Sequence, residues 1–135
     1  MEYAGSRRIT ARAAEIANIL ADARRLPEWN PAILFVTMDD PTAVAQKKYS
    51  VRAKLPGPAT LTYEEVSHGR IVWRLDGFQA HERGTWRLDA VNDQITEVTH
   101  IITHRGALFR MLTGAFHTVP KLRLDRLQRR AESGN

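Results

Sequence analysis

Two histidines on one predicted strand are the side chains best suited to acid–base chemistry. Alternation of apolar and polar residues over 95–104 predicts this strand. Its period of two places His100 between Val98 and Ile102 on an apolar face, and His104 shares that face nearer the strand end. An imidazole that titrates near ~6.5 can take a proton from a carbon flanked by carbonyls and return it to a leaving hydroxyl. We therefore predict His100 as a general base.

Carboxylic and phenolic side chains could assist this base. Glu65 or Glu82 could orient His100, or act as a base if burial raises the pKa of its carboxyl group. Tyr63 could donate a hydrogen bond to a developing enolate oxygen, and Tyr49 is an alternative donor. A histidine that only satisfies a buried hydrogen bond would show the same pattern, because an unpaired buried polar group costs about 1–3 kcal/mol. Both interpretations stay open at this stage.

Other chemistries find less support in the sequence. His100 and His104 would point the same way from a strand, which suits metal ligation, but no third ligand is defined. We therefore expect no metal and no cofactor. Cysteine is absent, which excludes disulfides, thiol nucleophiles and Cys-based metal sites. No nucleophile elbow, phosphate-binding loop or dinucleotide fingerprint occurs.

The elements that must carry these residues follow from hydrophobic periodicity. A short strand over 7–10 precedes an amphipathic helix over 13–23, and two prolines break the chain after it. The strands that follow are separated by turns and are predicted over 33–38, 47–55, 60–66, 70–76, 82–89 and 95–104. A final helix is predicted over 107–131, interrupted near Val119 by Pro120. This order indicates an α+β domain with an antiparallel sheet of six or seven strands.

Length and composition fit one globular domain, with a core of about 7–132. The chain has 135 residues, 43% of them hydrophobic and 26% charged, which is ordinary for a folded protein. No apolar run reaches the ~18 residues of a membrane span, so we expect a cytoplasmic protein without integral membrane association. The net charge of +5 lies mostly in the last 29 residues. That basic segment could contact an anionic partner, but no aromatic residues interleave its charges, so we expect no nucleic acid.

Three stretches of sequence carry a family resemblance. They are ITARAAEI at 9–16 with LPEWNP at 26–31, RIVWRL at 70–75 with GTWRL at 84–88, and TEVTH at 96–100. Over residues 9–132 the chain resembles the START / birch-pollen-allergen-like superfamily and, within it, bacterial polyketide cyclase/dehydrase-type proteins. It departs from them at Arg12, where proline is common, in the glycine-free connection over 39–46, and in the Asn92-Asp93-Gln94 turn. The absence of glycine from the connection over 39–46 argues against a phosphate-cradling loop.

The resemblance implies a helix-grip fold, in which a curved antiparallel sheet wraps a long C-terminal helix and encloses a hydrophobic cavity. It also implies a bulky hydrophobic ligand that is polyketide-, lipid- or aromatic-like. Two functions remain open: cyclisation or dehydration of that molecule by acid–base chemistry, or non-catalytic carriage of it. We expect a monomer or a homodimer.

Alternation then nominates the residues that would contact such a ligand. From the sheet they are Tyr49, Val51, Trp73, Trp86, Val98, Ile102 and His104. From the final helix they are Met111, Leu112, Ala115 and Phe116. Trp29 and Asn30 would lie near the cavity mouth. Packing of an ordinary core would account for the apolar members equally well.

Overall fold

A computed structural model describes residues 1–112 and 114–133. Seven antiparallel strands form one open sheet in the order β1-β7-β6-β5-β4-β3-β2. Their bounds are β1 Glu2–Ile9, β2 Ile33–Thr37, β3 Lys48–Ala53, β4 Ala59–Val66, β5 Arg70–Gly77, β6 Ala80–Ala90 and β7 Thr96–Arg105. All consecutive strands from β2 to β7 are neighbours in the sheet, and each pair runs antiparallel. The predicted α+β class is confirmed.

The first strand is five residues longer at its start than predicted. It pairs with β7 from Glu2 opposite Thr103 to Ile9 opposite Thr96. Its first half was missed because polar and small residues occupy both of its faces. One of these, Gly5, lies under the last helix: a Cβ there would meet the Leu124 side chain at 3.2 Å. The strand is therefore stabilised by pairing and by close helix contact.

The helices cover the concave face and one end of the sheet. Helix α1 spans Ala13–Ala21 and is followed by a 3₁₀ helix over Ala23–Glu28. Helix α2 spans Ala107–Met111, and helix α3 spans Val119–Glu132. The prediction of one helix over 107–131 is wrong in its middle, since Gly114 adopts a φ of +88°. Pro120 lies in the first turn of α3, where its missing N–H costs nothing.

The core lies between the sheet, α1 and α3. The indoles of Trp73 and Trp86 pack edge to face, with ring centroids 5.7 Å apart. Trp29 packs on Trp86 in the same way, with centroids 5.9 Å apart. All three are buried. Among the described residues, no helix is long and apolar enough to cross a membrane.

Candidate functional site

A cavity of about 190 Å³ opens beside the aromatic core. It lies between the chain that enters β2, the end of β3, the middle of the sheet and the C-terminal segment. Its wall is mainly apolar and is formed by Pro31, Ala32, Ala53, Leu55, Leu75, Phe109, Phe116, Val119 and Leu122. The polar members of the wall are Asn30, Lys54, Glu82, His104 and Arg123. An apolar pocket with a few polar groups is typical of a small-molecule site.

Glu82 on β6 is the centre of a buried polar cluster on this wall. Arg123 on α3 binds it in a bidentate manner, with Nη1 donating to Oε2 at 2.9 Å and Nη2 donating to Oε1 at 3.0 Å. Trp73 donates from Nε1 to Oε2 at 3.2 Å. The Nε2 atom of His104 lies 3.0 Å from Oε1. Both carboxylate oxygens are therefore fully engaged.

These contacts set the charge state of Glu82. Burial alone would raise the pKa of its carboxyl group, but attraction to Arg123 and hydrogen bonds from His104 and Arg123 outweigh it. The pKa of Glu82 consequently lies well below its usual range, and the carboxylate is ionised. The condition under which Glu82 could act as a base, a pKa raised by burial, is therefore not met, and the sequence did not show the cation that lowers this pKa. An ionised carboxylate with both oxygens engaged holds other groups in place and has little basicity left.

His104 on β7 is positioned by that carboxylate. An ionised carboxylate only accepts hydrogen bonds, so the network assigns the imidazole proton to Nε2. Its ring stacks on Phe109, with centroids 4.0 Å apart, and meets Phe116 edge to face at 4.8 Å. Nδ1 of His104 has no hydrogen-bond partner among the residues that the structure describes. In the neutral ring this nitrogen carries a lone pair.

His100 lies deeper, two residues earlier on the same strand. Its ring stacks on Trp86, with centroids 3.6 Å apart. Nδ1 donates to the Thr85 carbonyl oxygen at 3.0 Å, and Nε2 accepts from Nη1 of Arg123 at 3.3 Å. Burial, together with the charge of Arg123, lowers the pKa of His100 to about 3. The ring is therefore neutral, the form that a general base requires, but both of its nitrogens are engaged in hydrogen bonds.

Two other residues of the cavity wall also contain a buried polar atom without a hydrogen-bond partner in the described chain. Asn30 uses Oδ1 to accept a hydrogen bond from the Ala32 N–H at 3.1 Å. Within the described chain, neither Asn30 Nδ2 nor Arg123 Nε has a hydrogen-bond partner, although both are buried. We call Asn30 Nδ2, His104 Nδ1 and Arg123 Nε the open polar atoms. Their residues line the cavity, so two donors and one acceptor lie beside it without a partner among the described residues.

Comparison with known proteins identifies the family. The family model described as polyketide cyclase / dehydrase and lipid transport matches residues 2–132. The chain belongs to this family. The resemblance predicted from the sequence is therefore confirmed, while the family's description covers both enzymes and carriers. Among curated proteins, none matches the sequence significantly.

Solved structures of family-like proteins share the fold. A START superfamily protein from Mycobacterium smegmatis has a TM-score of 0.77 and 14% identity, covering 99% of each chain. The Zhui aromatase/cyclase from Streptomyces sp. R1128 has a TM-score of 0.72 and 17% identity, covering 98% of this chain and 93% of that one. The di-domain ARO/CYC BexL has a TM-score of 0.74 and 18% identity, covering 98% of this chain and 46% of that one. These likenesses confirm the helix-grip fold.

Glu65 and Tyr63, which were predicted to assist His100, make their hydrogen bonds elsewhere. Glu65 was expected to face the helix, but a bulge between Tyr63 and Glu65 shifts the register of β4. The extra residue turns Glu65 to the outer face, where it pairs with Arg70 at 3.2 Å. Tyr63 does face inward, and its hydroxyl donates to the Leu20 carbonyl oxygen at 2.6 Å. Burial raises the pKa of Tyr63, which keeps this phenol protonated.

The predicted ligand contacts divide into three groups. Asn30, His104 and Phe116 lie on the cavity wall. The side chains buried in the core, away from that wall, are Trp29, Tyr49, Val51, Trp73, Trp86, Val98 and Ile102. Tyr49 donates to Asp40 at 2.6 Å and thereby fixes the loop before β3.

The third group points into solvent. Met111 is 81% exposed and Leu112 45% exposed, and Ala115 is exposed as well. The helix period assumed for them ends at Met111, so the expectation that they face the sheet is wrong.

Arg123 is the buried charged residue of the site that sequence reasoning missed. It was counted only as one charge of the basic C-terminal segment, yet only 2% of it is exposed. Its position offered a signal, because Pro120, Arg123, Leu124 and Leu127 follow the spacing of one buried helix face. A charge in such a stripe indicates a buried partner of opposite sign. That partner, Glu82, is 41 residues away in sequence.

Proposed function

We propose that this protein binds a small, largely apolar carbonyl compound in the cavity and moves a proton at the carbon next to its carbonyl, with His104 as the base. One observation carries this proposal: His104 is a residue of the cavity wall, an ionised carboxylate holds its Nε2, and its Nδ1 has no partner in the described chain. A carboxylate behind an imidazole orients the ring and stabilises the imidazolium that forms. Membership of a family that includes cyclases and dehydrases supports this chemistry.

The proposed reaction starts with proton transfer to nitrogen. Nδ1 of His104 takes the proton from a C–H flanked by carbonyls, and the electron pair of that bond moves to the carbonyl oxygen. The enolate oxygen accepts hydrogen bonds from Asn30 Nδ2 or Arg123 Nε, which are fixed donors in a site of low dielectric constant. The imidazolium then returns its proton to a β-hydroxyl, which leaves as water while the enolate electrons re-form the carbonyl and make a C=C bond between the α and β carbons. In a cyclisation, the enolate carbon instead attacks a second carbonyl, whose oxygen takes the proton.

His100 remains a predicted catalytic residue, and its geometry favours it less than His104. Its Nε2 lone pair accepts a hydrogen bond from Arg123, and His100 is not among the residues of the cavity wall. Proton transfer to this nitrogen would place a second positive charge beside the guanidinium. Burial first, and then this repulsion, lower the pKa of His100.

Carriage without chemistry is the second candidate. It is favoured by the engagement of Glu82 with four donor groups from three side chains, which leaves the site no strong acid or second base. A carrier needs only the apolar wall and polar atoms that recognise a ligand. The family description also includes lipid transport.

Deuterium exchange separates these functions. Benzoylacetone, a one-ring β-diketone, is incubated with the protein in D₂O, and NMR follows loss of the proton between its two carbonyls. If the proposal is correct, wild-type protein accelerates the exchange above buffer, and His104→Phe lowers the catalysed rate by about 10²–10⁴-fold while retaining affinity. His68→Phe, which replaces an exposed turn histidine, is the matched control.

Other results of this experiment have distinct meanings. Loss of exchange in His100→Phe with full activity in His104→Phe would assign the base to His100. Binding without exchange in the wild-type protein would establish a carrier. Absence of binding, for a panel of apolar ketones as well as benzoylacetone, would contradict both functions.

A further inference from the structure

The cavity volume limits the size of the ligand. An engineered apolar cavity of about 150 Å³ holds one benzene molecule, and drug-sized ligands occupy about 300–1,000 Å³. At about 190 Å³, this cavity has space for one ring with short substituents. That is smaller than the bulky molecule expected from the family resemblance. Trp73 and Trp86 occupy the interior beside it and are buried in the core, so they leave little room for a second ring.

The open polar atoms define the groups that this ring must carry. Asn30, His104 and Arg123 are 1%, 5% and 2% exposed, so water reaches these side chains poorly. Their two donors would be satisfied by a carbonyl oxygen, and the lone pair of His104 Nδ1 would be satisfied by a hydroxyl group. A purely hydrocarbon ligand would leave all three atoms buried without partners, at about 1–3 kcal/mol each.

Charge balance indicates that the ligand is neutral. Glu82 and Arg123 cancel each other in the buried cluster, and His104 adds no charge while Nε2 holds its only ring proton. An anionic ligand would add an uncompensated charge to a dry site, which is expensive unless a proton is taken up with it. Lys54 also borders the cavity, but its side chain is exposed and its charge is screened by water.

We infer that the ligand of this cavity is a neutral one-ring compound bearing both a carbonyl and a hydroxyl group. The inference rests on the proposed function and narrows its substrate class. The carbonyl accepts from Asn30 Nδ2 or Arg123 Nε, and the hydroxyl donates to His104 Nδ1. In the enzymatic function, the C–H that loses its proton would take the place of this hydroxyl at His104 Nδ1.

Calorimetric titration of the full chain with matched probes tests this inference. The probes are the ortho, meta and para isomers of hydroxyacetophenone, acetophenone, ethylbenzene, benzoate and a tricyclic hydroxyanthraquinone. We expect at least one hydroxyacetophenone isomer to bind about tenfold more tightly than acetophenone, and acetophenone to bind more tightly than ethylbenzene. Benzoate and the tricyclic quinone should bind more weakly than the best hydroxyacetophenone.

A variant and its control assign the hydroxyl contact. His104→Phe should abolish the advantage of hydroxyacetophenone over acetophenone and leave the affinity for acetophenone within about twofold, because Phe keeps the ring that stacks on Phe109. Thr62→Val removes another buried hydroxyl that has no partner in the described chain, away from the cavity wall, and should change none of the affinities.

The outcomes distinguish this inference from the function beneath it. Equal affinity for ethylbenzene and all hydroxyacetophenones would overturn the polar part of the inference. If benzoate bound more tightly than the best hydroxyacetophenone, the claim that the ligand is neutral would be wrong. If the tricyclic quinone bound more tightly, the claim that the ligand has one ring would be wrong. If no probe binds, the cavity is not a ligand site, and the proposed function fails with it.

Discussion

Arg123 on the last helix and Glu82 in the middle of the sheet form a buried bidentate ion pair, with Nη1 2.9 Å from Oε2 and Nη2 3.0 Å from Oε1. The pair fixes the position of α3 over the sheet and orients the two histidines of β7. His104 donates to the carboxylate, and His100 accepts from the guanidinium. A single ion pair therefore decides which imidazole nitrogen is available to the cavity.

Removing the cation of this pair should destabilise the fold strongly. Arg123→Leu leaves the Glu82 carboxylate buried without its counter-ion, which costs about 3–5 kcal/mol. Arg126→Leu on the same helix removes an exposed guanidinium and should change the free energy of unfolding by less than about 0.5 kcal/mol. Urea denaturation measures both. Similar losses for the two variants would show that the buried pair has no special role in stability.

Gly84 is the residue that allows Trp73 to reach Glu82. Trp73 pairs across the sheet with Gly84, and a Cβ on Gly84 would lie 2.4 Å from its indole Nε1. Gly84→Ala should displace the indole, lengthen its hydrogen bond to Glu82 and lower the free energy of unfolding by about 1–3 kcal/mol. Gly69→Ala is the control, because nothing lies within 4 Å of its added Cβ. Equal stabilities of the two variants would contradict this packing.

Acidification should lower the stability of the fold over the range in which His100 gains a proton in the unfolded chain. Its pKa is about 3 in the fold and ~6.5 when unfolded, so the unfolded state binds the extra proton between these values. As the pH is lowered from about 6 to 4, the free energy of unfolding should therefore fall by up to about 1.4 kcal/mol for each pH unit.

Glu82 extends this acid sensitivity. Its lowered pKa contributes stability above ~4.5, the value of an unperturbed carboxyl group, and that contribution is lost as the pH falls further. His100→Phe should flatten the slope between about pH 6 and 4.5, while His68→Phe should leave it unchanged. An unchanged slope in His100→Phe would show that another group carries the pH dependence.

Filling the cavity should block the ligand without harming the fold. Ala53 is buried on the cavity wall at the end of β3. Ala53→Leu should lower the affinity for the best hydroxyacetophenone by more than about tenfold, while the free energy of unfolding stays unchanged or rises by about 0.5–2 kcal/mol. The exposed substitution Ala45→Leu should affect neither quantity. Full affinity in Ala53→Leu would place the ligand elsewhere.

Local periodicity was sufficient for most of the sheet. Alternation predicted β2 to β7 and the inward face of His100, which is fully buried. It failed at Glu65, because one bulged residue reverses every later side chain of β4 and no local pattern marks that bulge. It also failed for the middle of the C-terminal segment, where a positive φ at Gly114 and the start of α3 at Val119 divide the predicted helix.

The choice between the two histidines of β7 shows what only the tertiary structure decides. The sequence alone determined that His100 and His104 share one face, because side chains alternate strictly along a strand. It could not determine which nitrogen is open, since that depends on hydrogen-bond partners from distant parts of the chain. Arg123 donates to Nε2 of His100, whereas Glu82 holds Nε2 of His104 and leaves its Nδ1 without a partner in the described chain. A hydrogen bond requires two atoms about 3 Å apart in space. The spacing of residues along the chain does not give the distance between atoms of separate helices and strands.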